Sequence, residues 1–176
     1  MSVATIAPYF PFRRIKIINQ QVLADASESR IWAQPSKRHR PVCHGCGQKA
    51  CGVHSWAERT VRDLNMASAR VWIRCRYRKL FCPRCQGVRI ENLELFHPYL
   101  RVTDRMARYV YQLCHMMTVS QVARHLGLNW KTVKDIDKHY LERDYGQPDL
   151  NGLRILAVDE ISIRKGQLNS LKNSLL

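Results

Sequence analysis

A chain of 176 residues with 45% hydrophobic and 24% charged side chains has room for one or two small domains and for no large enzyme core. Its apolar content excludes wholesale disorder, and no apolar run approaches the roughly 20 residues that span a bilayer. The 29 Lys plus Arg against 14 Asp plus Glu leave a net charge of +15, which asks for a polyanionic partner, nucleic acid first.

Residues 1–11 show no basic segment followed by an apolar one, so a soluble chain without a secretory signal or a membrane partner is expected, placed in the cytoplasm. Residues 1–102 carry 18 basic and 6 acidic side chains, whereas residues 103–150 carry 7 and 6. The first stretch is therefore the electrostatic footprint. Within it, Arg14 to Asn19 and Arg30 to Ala33 read as short strands joined by a polar turn, and Gln34 to Arg40 as a basic connector.

The seven cysteines are Cys43, Cys46, Cys51, Cys75, Cys82, Cys85 and Cys114. An odd count without a signal peptide argues against a disulfide framework. Cys43-His44-Gly45-Cys46 and Cys82-Pro83-Arg84-Cys85 have C-x2-C spacing, and two such turns can close a tetrahedral all-thiolate zinc site. The expected ligands are Cys43, Cys46, Cys82 and Cys85, around a structural Zn2+ with no open position for catalytic water. The 35 residues between the pairs imply a substantial β insertion. A rival compact set would be Cys43, Cys46, Cys51 and His54, which leaves Cys82 and Cys85 without a role. A redox C-x-x-C lacks the βαβ surroundings it needs.

Ala69 to Phe81 alternates as a strand. Val71, Ile73, Cys75, Tyr77 and Phe81 fall on one face; Arg70, Arg74, Arg76 and Arg78, joined by Trp72, fall on the other. Cys75 then reads as a core thiol. The arginine face suits phosphate contacts, the alternative being a solvated edge strand that uses charge against aggregation.

Near residue 103 the period changes. Thr103 can cap a helix in which Met106, Val110, Leu113 and Met117 recur at helical spacing; Cys114 and His115 in it have no partner at ligand spacing. Val119 to Ile136 then reads as a helix-turn-helix. Ala123 is small where two helices cross, Gly127 suits a positive φ in the turn, and Val133 and Ile136 fasten the second helix. Ser120 and Asn129 are the expected N-caps. The second helix would present Asn129, Trp130, Lys131, Thr132, Lys134, Asp135 and Lys138 to a major groove. The alternatives are a plain helical hairpin, with Lys131 paired to Asp135 and Trp130 used in packing.

After Gln147-Pro148-Asp149, Leu153 to Val158 is a compact apolar run ending in Asp159-Glu160, suited to a buried strand. Ile161 to Gly166 could begin a return hairpin. Two-metal phosphoryl chemistry needs several converging carboxylates, and Asp159 and Glu160 alone do not supply them. The tail Gln167 to Leu176 lacks strand alternation and adds no acid. The chain is therefore expected to stop inside a domain.

The order of these pieces resembles the ISL-three family of bacterial insertion-sequence transposases. The likeness rests on Cys43-x2-Cys46-Gly47 with Arg59-Thr-Val-Arg-Asp-Leu64 and Cys82-Pro-Arg-Cys85, on Val122 to Ile136, and on Leu153 to Gly166. It implies an α+β chain: a β-rich, zinc-ribbon-like domain at residues 1–102, a helix-turn-helix domain at 103–148, and at 149–176 the first strand of an incomplete ribonuclease H-like domain. In the family the first two bind double-stranded DNA at terminal inverted repeats, and an Asp-Asp-Glu triad with Mg2+ cuts and joins strands. Asp159 matches the first triad aspartate. A DNA-binding remnant without strand transfer is the resulting expectation, located in the bacterial cytoplasm at the nucleoid, with a second copy or an intact transposase as a further partner. A stand-alone regulator with the same two modules is the alternative, and a protein-binding zinc module is a third.

Overall fold

A computed structural model of the chain describes residues 10–49, 52–146, 151, 152 and 154. Cys51, Asp159, the expected strand at residues 153–158 and the hairpin at 161–166 lie outside them.

The arginine-rich stretch forms half of a long hairpin. β3 (Gly52–Met66) and β4 (Ala69–Cys82) pair antiparallel, and this hairpin is the insertion that the cysteine spacing requires. β1 (Ile15–Val22) and β2 (Glu28–Pro35) are longer than the short strands expected and pair antiparallel. β2 adds parallel to β4, giving the order β1-β2-β4-β3, and the short β5 (Gly87–Ile90) pairs with the end of β4. Odd-numbered residues of β2 and β4 point to one face: Ile31, Ala33, Val71, Ile73, Cys75 and Tyr77 are buried with Val61 under Phe10, Leu93, Leu95 and Phe96. That period of two builds the sheet's core.

The alternation breaks at the end of β4. Phe81, expected on the apolar face, is 52% exposed, while Leu80 and Cys82 are fully buried. Here the covered side of the strand is the opposite one, because Leu80 and Cys82 pack with Cys43 under the cysteine turns. The same stretch of β3 carries a bulge between Val53 and Ser55, which bends the hairpin locally.

Three helices follow: α1 (Asp104–Cys114), α2 (Val119–Leu126) and α3 (Trp130–Tyr145). Their shared core holds Met106, Val110, Val122, Ala123, Val133 and Ile136, with Leu100 and Val102 from the connector and Leu64 from β3. Thr103 caps α1 and Asn129 caps α3, as expected. The cap of α2 is Thr118, two residues ahead of the expected Ser120: its side chain accepts from the Gln121 N–H, and the Gln121 side chain reaches back to the Thr118 N–H. The pattern Thr-x-x-Gln is a capping box, and it outcompetes a serine that has no such return partner. Gly127 ends α2 at φ 64° and donates its N–H to Ala123 and Arg124 carbonyls, a left-handed conformation that only glycine enters without penalty. Among the described residues no helix is long and apolar enough to cross a membrane.

Sheet and helices are joined by the segment Arg59-Thr-Val-Arg-Asp-Leu64. The Arg59 guanidinium donates to the Pro98 carbonyl at 2.6 Å. Arg62 and Val102 form a parallel bridge, with N–H to carbonyl distances of 2.9 Å from Arg62 to Arg101 and from Thr103 to Arg62. The Arg62 side chain, 2% exposed, donates to the carbonyls of Asp63 and Val71 and to the Asn65 side chain. The edge of β3 is thereby tied at Arg62 to the connector that leads into α1.

Candidate zinc centre and nucleic-acid interface

The two C-x2-C turns come from different parts of the chain and meet because β5 and the flank of Cys43 close over the end of β4. Cys43 bridges Glu91, and the His44 N–H donates to Ile90 at 3.0 Å. Each turn has a residue at positive φ just after its second cysteine, Gly47 at 71° and Gln86 at 49°. Gly47 is the glycine the turn asks for. Gln86 takes a similar conformation against its intrinsic preference, a feature its residue type does not announce.

The four sulfurs lie within 4.8 Å of one another, with Cys43 Sγ 3.8 Å from Cys85 Sγ and Cys46 Sγ 3.5 Å from Cys82 Sγ. Zn–S bonds of about 2.3 Å in a tetrahedron place sulfurs about 3.8 Å apart, so the spacing fits zinc and is far too long for disulfides. The Cys85 backbone N–H leads the causes that pull Cys82 down to about 6, and hydrogen bonding to Cys46 leads those that push Cys85 up to about 12. Four thiols this close cannot all ionise without a cation between them, and a divalent ion removes that conflict. The set suggests a structural zinc. The rival set fares worse: His54 is exposed and hydrogen-bonded to Ser55, outside the cluster. Cys75 is a core thiol, fully buried and pushed up to about 12 by desolvation.

The four arginines of β4 occupy different environments. Arg70, Arg74 and Arg76 are exposed. Arg74 pairs with Glu58 at 2.6 Å, and the Arg76 guanidinium lies 4.6 Å from the Trp56 ring centre. Arg78 is held by both oxygens of Glu91 at 2.6 and 2.5 Å, and Glu91 is 2% exposed. Arg78 thus braces the zinc end of the hairpin; no spacing rule links it to Glu91.

On α3, Trp130, Lys131, Lys134, Asp135 and Lys138 form an exposed stripe opposite buried Val133, Ile136 and Tyr140. Trp130 is 51% exposed, so packing is not its main role. Thr132 is half-buried at the border of the stripe, and the Asn129 side chain accepts from the Lys131 N–H at 2.9 Å as the helix cap. Lys138 lies 3.6 Å from Glu142; among the described residues no ion pair joins Lys131 to Asp135.

The zinc end and α3 also touch through histidines that spacing could not find. His97 in the connector lies against His139 of α3, tilted at 45° with 4.5 Å between ring centres, and meets His44 of the first cysteine turn edge-on at 5.4 Å. Burial, then the neighbouring His139 and His44, lower the His97 pKa below the usual imidazole value. These ring contacts link the first cysteine turn to α3.

A pair of zinc knuckles at the end of a long β hairpin, joined to a three-helix unit whose last two helices form a helix-turn-helix, defines a zinc-ribbon and helix-turn-helix protein. Two family patterns agree: the zinc-finger of transposase IS204/IS1001/IS1096/IS1165 matches residues 39–85, and the helix-turn-helix domain of transposase family ISL3 matches residues 91–141. The chain is also 39% identical over 125 residues to the transposase for insertion sequence element IS1001 of Bordetella parapertussis, an alignment covering 71% of this chain and 31% of that protein. The chain belongs to the ISL3 transposase family. It spans about a third of the length of the curated relative it matches. No solved structure matches it.

Proposed function

We propose that this chain recognises the terminal inverted repeats of an insertion sequence as double-stranded DNA, with α3 in the major groove. The observation that carries this reading is the exposed stripe of Trp130, Lys131, Lys134 and Lys138 on the second helix of a helix-turn-helix, in a chain of net charge +15. Thr132 and Asn129 lie at the helix start, where such helices approach base edges. Arg70, Arg74 and Arg76 supply phosphate contacts that carry no sequence information, and Arg78 holds the zinc end in shape. The zinc ion does no chemistry; it sets the position of His44 against His97 and so steadies α3.

On this reading the units are a zinc-binding β domain at 1–102, a helix-turn-helix domain at 103–148 and the start of a ribonuclease H-like domain from 149. Cutting and joining strands takes several carboxylates converging on metal ions. Asp159 is the residue here that matches the family's triad, whose chemistry uses Mg2+, and DNA binding is the activity proposed for residues 1–148. The partners at the second end of an element are another copy or a longer transposase. The setting is the bacterial cytoplasm, at the nucleoid.

The test is a titration of labelled element-end duplex with the zinc-loaded chain at several salt concentrations. Affinity should exceed that for a scrambled duplex and fall steeply with salt. Lys131→Ala and Lys134→Ala should each lower the slope of log affinity against log salt by about one. Equal affinity for both duplexes, indifferent to both substitutions, would remove α3 from the interface.

A further inference from the structure

The face of the sheet opposite its core is open among the described residues, and it carries three of the chain's four tryptophans. Strand register sets their neighbours. Trp32 of β2 stands beside Arg74 of β4, Trp72 of β4 beside Arg30 of β2 and Arg62 of β3, and Trp56 of β3 beside Arg78 of β4. Same-face rows repeat at about 7 Å along a strand. Trp32 and Trp72 are half-buried, and buried Arg62 lies 5.6 Å from the Trp72 ring centre. Arg30, Arg74 and Arg78 pair with Glu28, Glu58 and Glu91. Trp56 is 48% exposed, with Arg76 over its ring at 4.6 Å. A shallow recess of about 340 Å³ opens between Glu28, Arg30, Thr60, Trp72 and Arg74.

The same face continues into a basic cleft. Gln34, two residues beyond Trp32, pairs with Lys16 of β1, and both line a cleft of about 550 Å³ together with Arg13, Lys37, Arg38 and His39. No acidic residue lines it. Indoles are large and mostly apolar, and a core can hold them when the ring N–H finds a partner; here they lie on the outward face, among arginines and the glutamates that pair with them. Phosphate contact alone explains the arginines. It leaves the tryptophans unexplained, because the bases of an intact duplex are stacked on one another and offer no free ring faces.

We infer that this open face is a second nucleic-acid site, a stacking platform for single-stranded DNA, with unpaired bases on Trp32, Trp56 and Trp72 and the backbone running to the basic cleft. The inference rests on the phosphate-contacting reading of the arginine strand and is separate from groove recognition by α3. Rings that alternate with positive charge are the chemistry by which proteins hold unpaired strands without reading their sequence.

The experiment uses the full zinc-loaded chain and a short mixed-sequence single strand, beside an abasic strand of equal length and charge. The base-bearing strand should bind at least about tenfold tighter and quench tryptophan fluorescence. Trp56→Thr or Trp32→Thr should each lose between about fivefold and a hundredfold, and Trp56→Phe should keep most of the affinity. Lys131→Ala with Lys134→Ala should leave single-strand binding intact while weakening duplex binding, which separates this site from α3.

Equal affinity for the abasic strand would reduce the face to a phosphate grip and overturn the inference. So would a concentration-dependent dimer abolished by Trp56→Thr in a chain whose single-strand affinity is unchanged. Failure of both strands to bind, with duplex binding kept, would sink the phosphate reading of the arginines as well. Melting curves of the variants show whether any loss comes from unfolding.

Discussion

Cys82→Ser, or withdrawal of zinc with a chelator, is expected to unfold the knuckle end of the sheet while the remaining fold stands. The local core there is Cys43, Leu80 and Cys82, with Cys46 and Cys85 packed against it. That is too little apolar area to hold two turns from distant parts of the chain. Structural zinc supplies about 10–16 kcal/mol of apparent binding energy in small zinc modules, so the metal is the main stabilising term at this end. Losing even an outer partner of a metal ligand costs about 10–100-fold in affinity; losing a thiolate itself should cost more than that range. The sheet and helical cores are separate clusters and should persist. Hydrogen exchange can read the outcome residue by residue. The amides of Cys43 and Gly47, whose partners are Gln48 and Cys43 carbonyls, should lose protection, while Val71, Ile73 and Val110 keep theirs. Loss of protection throughout would mean the zinc end nucleates the whole fold. No loss would mean the cysteines are not a metal site.

Asp63→Ala should be the most damaging single change away from the cysteines. The carboxylate is fully buried. It accepts from the Thr103 hydroxyl at 2.7 Å and from both sides of the Arg105 guanidinium at 2.8 and 2.5 Å. The Thr103 oxygen in turn accepts from the Met106 N–H at 3.2 Å, so one hydroxyl caps α1 and ties it to β3. Arg105 also lies 5.0 and 4.9 Å from the rings of Phe10 and Phe12. Removing one partner of a buried pair costs about 3–5 kcal/mol. The Arg105 side chain is 27% exposed and can recover some hydration, which favours the lower end. About 3 kcal/mol corresponds to roughly 6–12 °C in Tm for a chain of this size. Asp63→Asn keeps the shape and one acceptor and should lose less. A thermal scan showing Asp63→Ala within about 1 °C of the unchanged chain would contradict this account of how sheet and helices are joined.

Asp63 also shows where sequence reading stops. Its partners are 40 and 42 residues away, and no periodicity connects them; the same holds for Arg78 with Glu91 and for His44, His97 and His139. What was legible was local. The C-x2-C pairs carry their geometry in four residues, β4 announces itself by alternation, and Gly127 marks the helix-turn-helix because left-handed backbone selects glycine. Alternation misplaced Phe81 because the zinc turns cover the other side of the strand at that end, a tertiary effect. Thr118-Val-Ser-Gln121 does carry a local signal, the capping-box spacing, which outranks Ser120 as a cap. The family likeness in Arg59-Thr-Val-Arg-Asp-Leu64 proves to be architectural, since Arg59, Arg62, Asp63 and Leu64 each join sheet to helices.

The proposed role of α3, steadied by the zinc end, is to read the ends of an insertion sequence. A footprint of the zinc-loaded chain on duplex carrying such an end, with interference by modified guanines in the major groove, tests it most directly. The expected result is protection confined to the inverted repeat, with major-groove interference that Lys131→Ala and Lys134→Ala weaken. Protection that is uniform along the duplex, or interference confined to the minor groove, would contradict it.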